Sequence, residues 1–326
     1  MNPIDLSKLP SYAELPVKAG APANSAWGLF GEDDQVGTIN LLVAEKVKEA
    51  ATLVRKGKVF SLNLPLDVPN PALFDRKTPQ HTLLVGGGGV VRDDYLDSFY
   101  LQASSQWDSL RHIRHPVYGF YNGVKDEEVS LEEGSKLGIE NWAKRGIVGR
   151  GVLLDVAKHL SERGTPIDPR SSFIIRREML AATADAQKVE IRPGDILLIR
   201  TGWLGWYLQE ASPEERQRLA GEALAGGWRT PGIGPCDEMA EYLWNLHIAA
   251  VAADNPSVDV WPPTAGGGFL HFYLLPLFGM PIGEMWYLEE LAADCAGDGV
   301  YEFMLTSAPL HLRGGVGSPP NALAIK

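Results

Sequence analysis

The chain has 326 residues, which is enough to bury one large hydrophobic core or two smaller ones. Hydrophobic residues make up 45% and charged residues 22% of it, as in an ordinary soluble globular protein. The formal net charge of −11 argues against a nucleic acid or an anionic membrane as the main partner. Cys236 and Cys295 form no CxxC pattern, so neither a disulfide framework nor a thiolate zinc site is predicted.

The N-terminal sequence MNPIDLSKLPSYAELP has no basic segment followed by an apolar one, and no apolar run of 18 residues occurs in the chain. A cytoplasmic protein is therefore predicted. Residues 1–26 lack a sustained hydrophobic period and are predicted to form an N-terminal arm. No repeat, linker or low-complexity tract divides residues 27–326, which are predicted to form a single α/β domain.

Hydrophobic periodicity predicts strands that alternate with helices. The predicted helices cover residues 43–57, 176–185, 210–226, a segment ending near Leu246, and 271–278. The predicted strands cover residues 58–66, 151–155, 194–203, 248–252 and 281–287, with a last strand near the C-terminus. Continuous apolar runs such as GDILLIRTGW are typical of strands buried on both faces. The run VGGGGVV at residues 85–91 matches neither GxGxxG nor GxxxxGK[ST] and is predicted to be a flexible loop.

The segment LQASSQWDSLRHIRHPVYGFYNG, residues 101–123, places polar side chains at even offsets. In an extended chain Gln102, Gln106, Asp108 and His112 point to the same side of the backbone, whereas a continuous helix would separate them. A pocket with a few convergent polar groups and apolar walls is one interpretation. A buried strand whose side chains make structural hydrogen bonds is equally consistent with the spacing. The flanking aromatic residues are Tyr100, Trp107, Tyr118, Phe120 and Tyr121.

Two further polar residues stand in strongly apolar contexts. Glu284 lies in IGEMW and His271 in FLHFYLL, so each needs a partner or a metal if it is buried. Together with Asp108 and an oxygen of Gln106 they could hold one divalent ion, leaving His112 as general base. Metal-activated water would then attack an ester, lactone or amide carbonyl. No GxSxG, HExxH or Walker motif offers a competing chemistry.

The order Q-ASS-Q-W-D-SL-R-H resembles the metal motif HxGTHxDxPxH of the putative cyclase family, which includes kynurenine formamidase, isatin hydrolase and trans-dienelactone hydrolase. The QWD variant resembles the long subgroup of that family, and WGLFGEDDQVGTINLL, GRGVLLD, GDILLIRTGW and GSPPNALAI resemble its other landmarks. In this register Asp108 and His112 match the bridging carboxylate and the catalytic histidine. Gln102 and Gln106 stand where two metal-binding histidines would be.

The resemblance also covers the end of the chain, where His271 and Glu284 match two late metal ligands. It implies a swivelling β/β/α fold, a homodimer or homotetramer, and hydrolysis of a cyclic amide, a lactone or an aryl formamide. The implied cofactor is manganese or zinc, and the implied partner is a small molecule, not a nucleic acid or a membrane. The predicted site comprises Gln106, Asp108, His271 and Glu284 for the metal, His112 and Gln102 for catalysis, and Trp27, Trp107, Tyr118, Phe120 and Tyr121 for the substrate.

The two glutamines leave a second hypothesis open. A neutral amide oxygen is a poorer donor to zinc than an imidazole, so the first metal position is weakened. The alternative is therefore a metal-free small-molecule binder, or a cyclase or lyase, on the same scaffold.

Overall fold

A nine-stranded mixed sheet forms the centre of the fold, seen here in a computed structural model that describes residues 4–222, 227–263 and 268–326. Its strands run in the order β1-β13-β11-β5-β7-β9-β10-β4-β12. Two smaller sheets pair β2 with β3 and β6 with β8. The strands are β1 Val59–Ser61, β2 Gln80–Gly86, β3 Val91–Asp97, β4 Gln106–Asp108, β5 Ile147–Asp155, β6 Ile174–Ile175, β7 Ile196–Arg200, β8 Gly232–Ile233, β9 Ala250–Ala253, β10 Ile282–Glu284, β11 Glu302–Ser307, β12 Gly317–Ser318 and β13 Leu323–Ile325.

Helices connect and cover these strands. They are α1 Ala44–Ala51, α2 Glu140–Arg145, α3 Val156–Glu162, α4 Arg177–Gln187, α5 Trp203–Gln209, α6 Pro213–Glu222, α7 Asp237–Asn245, α8 His271–Tyr273 and α9 Glu289–Asp298. The α8 turn runs on into a π-helix, Leu274–Phe278, because Pro276 has no N–H for a regular α-helix. Residues 223–226, at the end of the predicted helix 210–226, lie outside the described residues. No helix within the described ranges is long and apolar enough to cross a membrane.

The parallel strands β5, β7, β9 and β10 lie side by side in the sheet. The apolar residues of β7, Ile196–Ile199, are completely buried, as the continuous apolar run predicts. Helical crossovers between β5, β7 and β9 keep both faces of this part of the sheet away from water. The predicted single α/β domain is observed within the described residues.

The glycine run lies in a β-hairpin, so the prediction of a flexible loop over residues 85–91 was too broad. The strands β2 and β3 pair antiparallel, from Gln80 opposite Asp97 to Gly86 opposite Val91, and only the tip is a turn. Gly87, Gly88 and Gly89 adopt positive φ angles of 57°, 66° and 94°, which glycine tolerates and which reverse the chain here. The hairpin residues are mostly exposed, and apolar side chains are among them.

Residues near the N-terminus lie against the body of the domain. The Tyr12 backbone N–H donates to Asn245 Oδ1 at 2.8 Å, and the Trp244 indole N–H donates to the Pro10 carbonyl at 2.9 Å. The Tyr12 ring meets the Phe278 ring edge to face at 6.0 Å. The division into an arm and a domain at residue 26 stays a prediction, and residues 1–3 lie outside the described part of the chain.

Gly37 permits a close backbone contact with Gly279, the residue that ends the π-helix. A Cβ atom on Gly37 would lie 1.9 Å from the Gly279 carbonyl oxygen. The same oxygen accepts a hydrogen bond from the Thr38 N–H at 2.8 Å, and Thr38 Oγ1 donates to the Ala249 carbonyl at 2.8 Å. The segment after Gly37 is thereby fixed beside the helix that begins with His271.

We expect Gly37→Ala to destabilise the protein far more than Gly57→Ala. Both glycines have similar positive φ angles, 69° and 67°, so both substitutions cost about 1–2 kcal/mol of backbone strain. Only Gly37 also meets backbone atoms, which adds roughly 1–3 kcal/mol of overpacking, whereas a Cβ on Gly57 meets nothing within 4 Å. Denaturant unfolding measures both free energies, and equal losses would contradict this close contact.

Candidate functional site

The pairing of β4 with β10 brings two distant acids together. Glu284 lies directly opposite Gln106 in this antiparallel pair, and Gln106 Nε2 donates to Glu284 Oε2 at 2.7 Å. Because side chains alternate along a strand, Asp108 lies on the same face as Gln106. Gln106 Nε2 also donates to Asp108 Oδ1 at 3.2 Å. One amide group therefore bridges two buried carboxylates.

His271 completes this cluster from the first turn of α8. Its Nδ1 donates to Asp259 Oδ2 at 2.6 Å, and Asp259 Oδ1 accepts the backbone N–H of Leu270. The carboxylate thus fixes both the orientation of the ring and its tautomer. The other ring nitrogen, Nε2, lies 3.2 Å from Glu284 Oε1 and 3.6 Å from Asp108 Oδ2.

These three side chains meet the requirements of a divalent metal site. One ligand atom from each of Asp108, His271 and Glu284 can be chosen so that all lie within 4.8 Å of one another. Asp108 Oδ2 is buried and has no hydrogen-bond partner among the described residues. A histidine that donates its second N–H to a carboxylate is the usual arrangement around a metal. The residues present therefore fit such an ion.

Gln106 does not have the role that the sequence predicts for it, that of a neutral oxygen ligand to the metal. Its Nε2 points at the carboxylates of Asp108 and Glu284, because only the amide N–H can donate to them. Its Oε1 accepts a hydrogen bond from Arg76 Nη1 at 3.3 Å. Gln106 therefore positions the two acids, and its oxygen is turned away from them.

The ionisable groups of the cluster shift one another's pKa values. Burial and the charge of Asp108 raise the pKa of Glu284 to about 7. Burial alone would raise the pKa of Asp108, but the charges of His112 and His271 hold it below its usual value. Burial opposes a charge on His271, yet hydrogen bonds to its carboxylate neighbours raise its pKa well above the usual value. Glu284 and His271 are therefore the groups that retain protons, which a bound cation would displace.

His112 and Gln102 lie on the more accessible side of Asp108. The Gln102 amide donates to Asp108 Oδ1 and, with its second N–H, to His112 Nδ1 at 3.1 Å. His112 Nε2 lies 3.9 Å from Asp108 Oδ2, and its side chain is 22% exposed, so a small molecule can reach it. Burial lowers the pKa of His112, which keeps the ring neutral near pH 7. The proton of the neutral ring is then on Nε2.

The structure does not bring Trp107 to this site. It stands between Gln106 and Asp108 on β4, so its side chain points to the opposite face of the sheet. There its indole N–H donates to Ser307 Oγ at 2.9 Å, and its ring meets the Trp286 ring at 4.7 Å. The Trp286 indole N–H in turn donates to the Gln106 carbonyl at 3.0 Å. Trp107 therefore supports β4 from behind.

Three other predicted wall residues have structural partners in the core. The Trp27 indole N–H donates to the Pro276 carbonyl at 2.7 Å. The Tyr121 hydroxyl donates to Asp34 Oδ2 at 3.2 Å, and the ring is completely buried. Phe120 is also buried. These contacts account for their burial without a substrate.

A different set of rings lies next to His271. The Phe269 ring stacks on the His271 ring at 4.1 Å with an interplanar angle of 6°. Phe272 follows at 5.5 Å from Phe269, and Tyr118 stacks on His115 at 4.5 Å nearby. His115 lies 6.1 Å from Phe272, so Tyr118 joins this row of partly exposed rings. Of the predicted walls, Tyr118 is the one that this row includes.

Sequence reasoning missed Asp259 and Arg76. Asp259 lies between Val258 and Val260, which are both completely buried, so it carried the same signal of an acid in an apolar run as Glu284. Arg76 lies in the loop sequence FDRKTP, where no periodicity distinguishes it from a surface residue. Its position next to Gln106 depends on how the loop folds over β4.

Comparison with known proteins places these residues in a family. The family model described as putative cyclase matches residues 60–260. The chain belongs to this family. Among solved structures, a novel cyclase is similar at 37% identity and a TM-score of 0.80, over 93% of this chain and 97% of that one. A comparison with curated proteins finds no match.

Two isatin hydrolases have the same fold at much lower identity. Isatin hydrolase A from Labrenzia aggregata, bound to benzyl benzoate, is 16% identical with a TM-score of 0.55, over 86% of this chain and 97% of that one. An isatin hydrolase bound to the product analogue thioisatinate is 19% identical with a TM-score of 0.54, over 86% and 98%. The predicted α/β fold of the cyclase family is confirmed.

We expect the purified cyclase-family protein to bind about one divalent cation per chain at the Asp108, His271 and Glu284 cluster. Asp108→Asn should abolish this binding because it removes a charged ligand, whereas Gln102→Ala should only weaken it. Asp94→Asn, in an exposed His81–Asp94 pair, is the control and should change nothing. Elemental mass spectrometry measures the metal content. Unchanged content in Asp108→Asn would contradict the assignment.

Proposed function

We propose that this protein is a metal-dependent hydrolase that opens a small cyclic amide or lactone, or cleaves an aryl formamide. The observation that carries the proposal is the unpartnered Asp108 Oδ2 beside His271, whose other nitrogen is held by Asp259. The isatin hydrolases of the same fold favour hydrolysis of a carbonyl compound. Asp108, His271 and Glu284 would hold manganese or zinc, with Gln106 positioning the acids.

A divalent ion bound there would supply Lewis acidity, polarising a carbonyl group and lowering the pKa of a water molecule. The chain itself would supply orientation and proton transfer. Asp259 keeps Nε2 of His271 facing the two acids, and the Gln106 amide keeps those acids in place. A reacting group therefore meets an arrangement that needs little reorganisation.

We assign proton transfer to His112, acting as general base. In the resting arrangement the Gln102 N–H occupies its Nδ1 lone pair. If Gln102 turns that N–H towards the substrate oxygen, it stabilises the developing oxyanion and frees Nδ1 to take a proton from water. His112 then returns this proton to the leaving nitrogen or oxygen, while the Gln102 N–H stays on the oxyanion. Gln102 and His112 would thus act as a pair.

The substrate in this proposal is small and largely apolar. The partly exposed rings of Phe269, Phe272 and Tyr118 offer it flat apolar contacts. Trp27, Phe120 and Tyr121 are buried in the core, and we do not retain them as substrate contacts.

A substrate panel tests the proposed reaction. The manganese- or zinc-loaded protein should hydrolyse members of a set of aryl lactones, cyclic imides and N-formyl anilines, and should leave phosphomonoesters intact. Hydrolysis is followed by product release on chromatography. Turnover of the phosphomonoesters alone would contradict the proposal.

We expect His112→Ala to cut turnover by about 10²- to 10⁴-fold with the metal content unchanged, because the residue moves a proton and does not hold the ion. Elemental analysis and steady-state kinetics measure the two effects separately. His159→Ala, which removes a histidine on α3, is the control and should keep full turnover. Full turnover by His112→Ala would remove this residue from the mechanism.

The alternative is a metal-free binder, cyclase or lyase, and the Gln106 amide favours it because it already bridges both acids without an ion. Activity or ligand binding that survives strong chelator unchanged would support this alternative. The predicted homodimer or homotetramer also stays a prediction. The exposed apolar side chains of the β2–β3 hairpin, Leu83 and Val90 among them, are a suitable contact for a second copy of the chain.

A further inference from the structure

Arg76 places a positive charge beside the acids without pairing with any of them. Its Nη1 donates to the Gln102 carbonyl and to Gln106 Oε1, which are both uncharged acceptors. Among the residues that the structure describes, no carboxylate oxygen lies within 4.0 Å of its nitrogens. By contrast, the buried Arg150 pairs with Asp195 at 2.6 Å. Arg76 is half-buried, and even partial removal of a guanidinium from water without a direct anionic partner costs free energy.

The free edge of this guanidinium suits an anion with two oxygens. Nη1 is engaged by the protein, whereas Nε and Nη2 have no hydrogen-bond partner among the described residues. These two N–H groups lie side by side in one plane, which matches the spacing of carboxylate oxygens. The guanidinium lies over the Phe74 ring at 5.2 Å, which holds its plane. Arg76 is therefore preorganised for an acceptor that the chain does not supply.

We propose that Arg76 binds the acyl oxygens of the substrate and of the carboxylate product through Nε and Nη2. This inference rests on the proposed hydrolysis. In that reaction water adds to the carbonyl carbon and the C–N or C–O bond breaks. One proton of the water goes to the leaving nitrogen or oxygen, and the other passes to solvent, so that the acyl group becomes a carboxylate. Negative charge thus develops on the oxygens that Arg76 holds.

The same position predicts opposite effects on two ligands. Arg76 contacts the oxygen of the Gln106 amide whose nitrogen donates to both Asp108 and Glu284, so its positive charge lies one side chain away from these acids. It therefore repels a cation bound by those acids and attracts an anion beside them. Loss of the charge should weaken carboxylate binding and leave metal binding unchanged or stronger. A residue with only a structural role would affect both in the same direction.

The test compares Arg76→Gln with Arg216→Gln. Arg216 is a matched control because its guanidinium also lies over an aromatic ring, that of Tyr207, at 5.0 Å, and also donates to backbone carbonyls. Isothermal titration measures the binding of benzoate and of its uncharged analogue benzamide to the manganese-loaded proteins. Titration of the metal-free proteins measures their manganese affinity.

We expect Arg76→Gln to bind benzoate about 10- to 100-fold more weakly, because a charged hydrogen-bonded pair is lost. Its affinity for benzamide should stay the same, and its affinity for manganese should stay the same or rise. Arg76→Lys keeps the charge but loses the pair of parallel N–H groups, so it should retain only part of the benzoate affinity. Arg216→Gln should match the unaltered protein in all three titrations.

Unchanged benzoate affinity in Arg76→Gln would overturn the proposal, and so would weaker manganese binding in both Arg76 variants. An unaltered protein that does not bind benzoate better than benzamide would also overturn it. These binding measurements need no turnover. Benzoate selectivity that depends on Arg76 in a protein inactive on the whole substrate panel would therefore refute the hydrolase while leaving the anion site in place.

Discussion

The register between β4 and β10 is the constraint on which the site depends. It sets Glu284 opposite Gln106 and so brings the carboxylate of one strand beside that of Asp108 on the other. A slip of one residue would turn these side chains to the face now occupied by Trp107. On the other side of β10, Gly283 allows a close approach to β9, since a Cβ there would lie 2.6 Å from the Ala252 Cβ. The pairing of the two backbones therefore determines which side chains meet at the site.

The electrostatics of the site follow from that pairing. Three buried acids, Asp108, Glu284 and Asp259, surround the single imidazole of His271, and burial makes each uncompensated charge costly. The raised pKa of Glu284 shows how the cluster relieves this cost without a cation, by retaining a proton. A divalent ion would relieve it differently, by pairing with both acids at once. The site is thus suited to a cation between Asp108, His271 and Glu284 and to an anion beside Arg76.

The sequence was sufficient for the family, the fold and the central acids, because those depend on local signals. Asp108 lies in a motif, and Glu284 and His271 are polar residues in apolar runs, so their context alone showed that they need partners. Side chains alternate along a strand, which groups Gln106 with Asp108 and also excludes Trp107 from their face. The prediction that Trp107 lines the substrate pocket ignored this alternation. Arg76 could not be found in this way, because its place depends on the path of a loop across the sheet. The hairpin was missed because a run of glycines describes only its tip.

The packing behind β4 gives the protein an internal optical reporter. The Trp286 indole N–H is bonded to the Gln106 carbonyl, and the Trp107 ring contacts the Trp286 ring. Any displacement of β4 that accompanies occupation of the site changes the surroundings of both indoles. Their emission should therefore report on events at the opposite face of the strand, from which the Trp107 side chain points away.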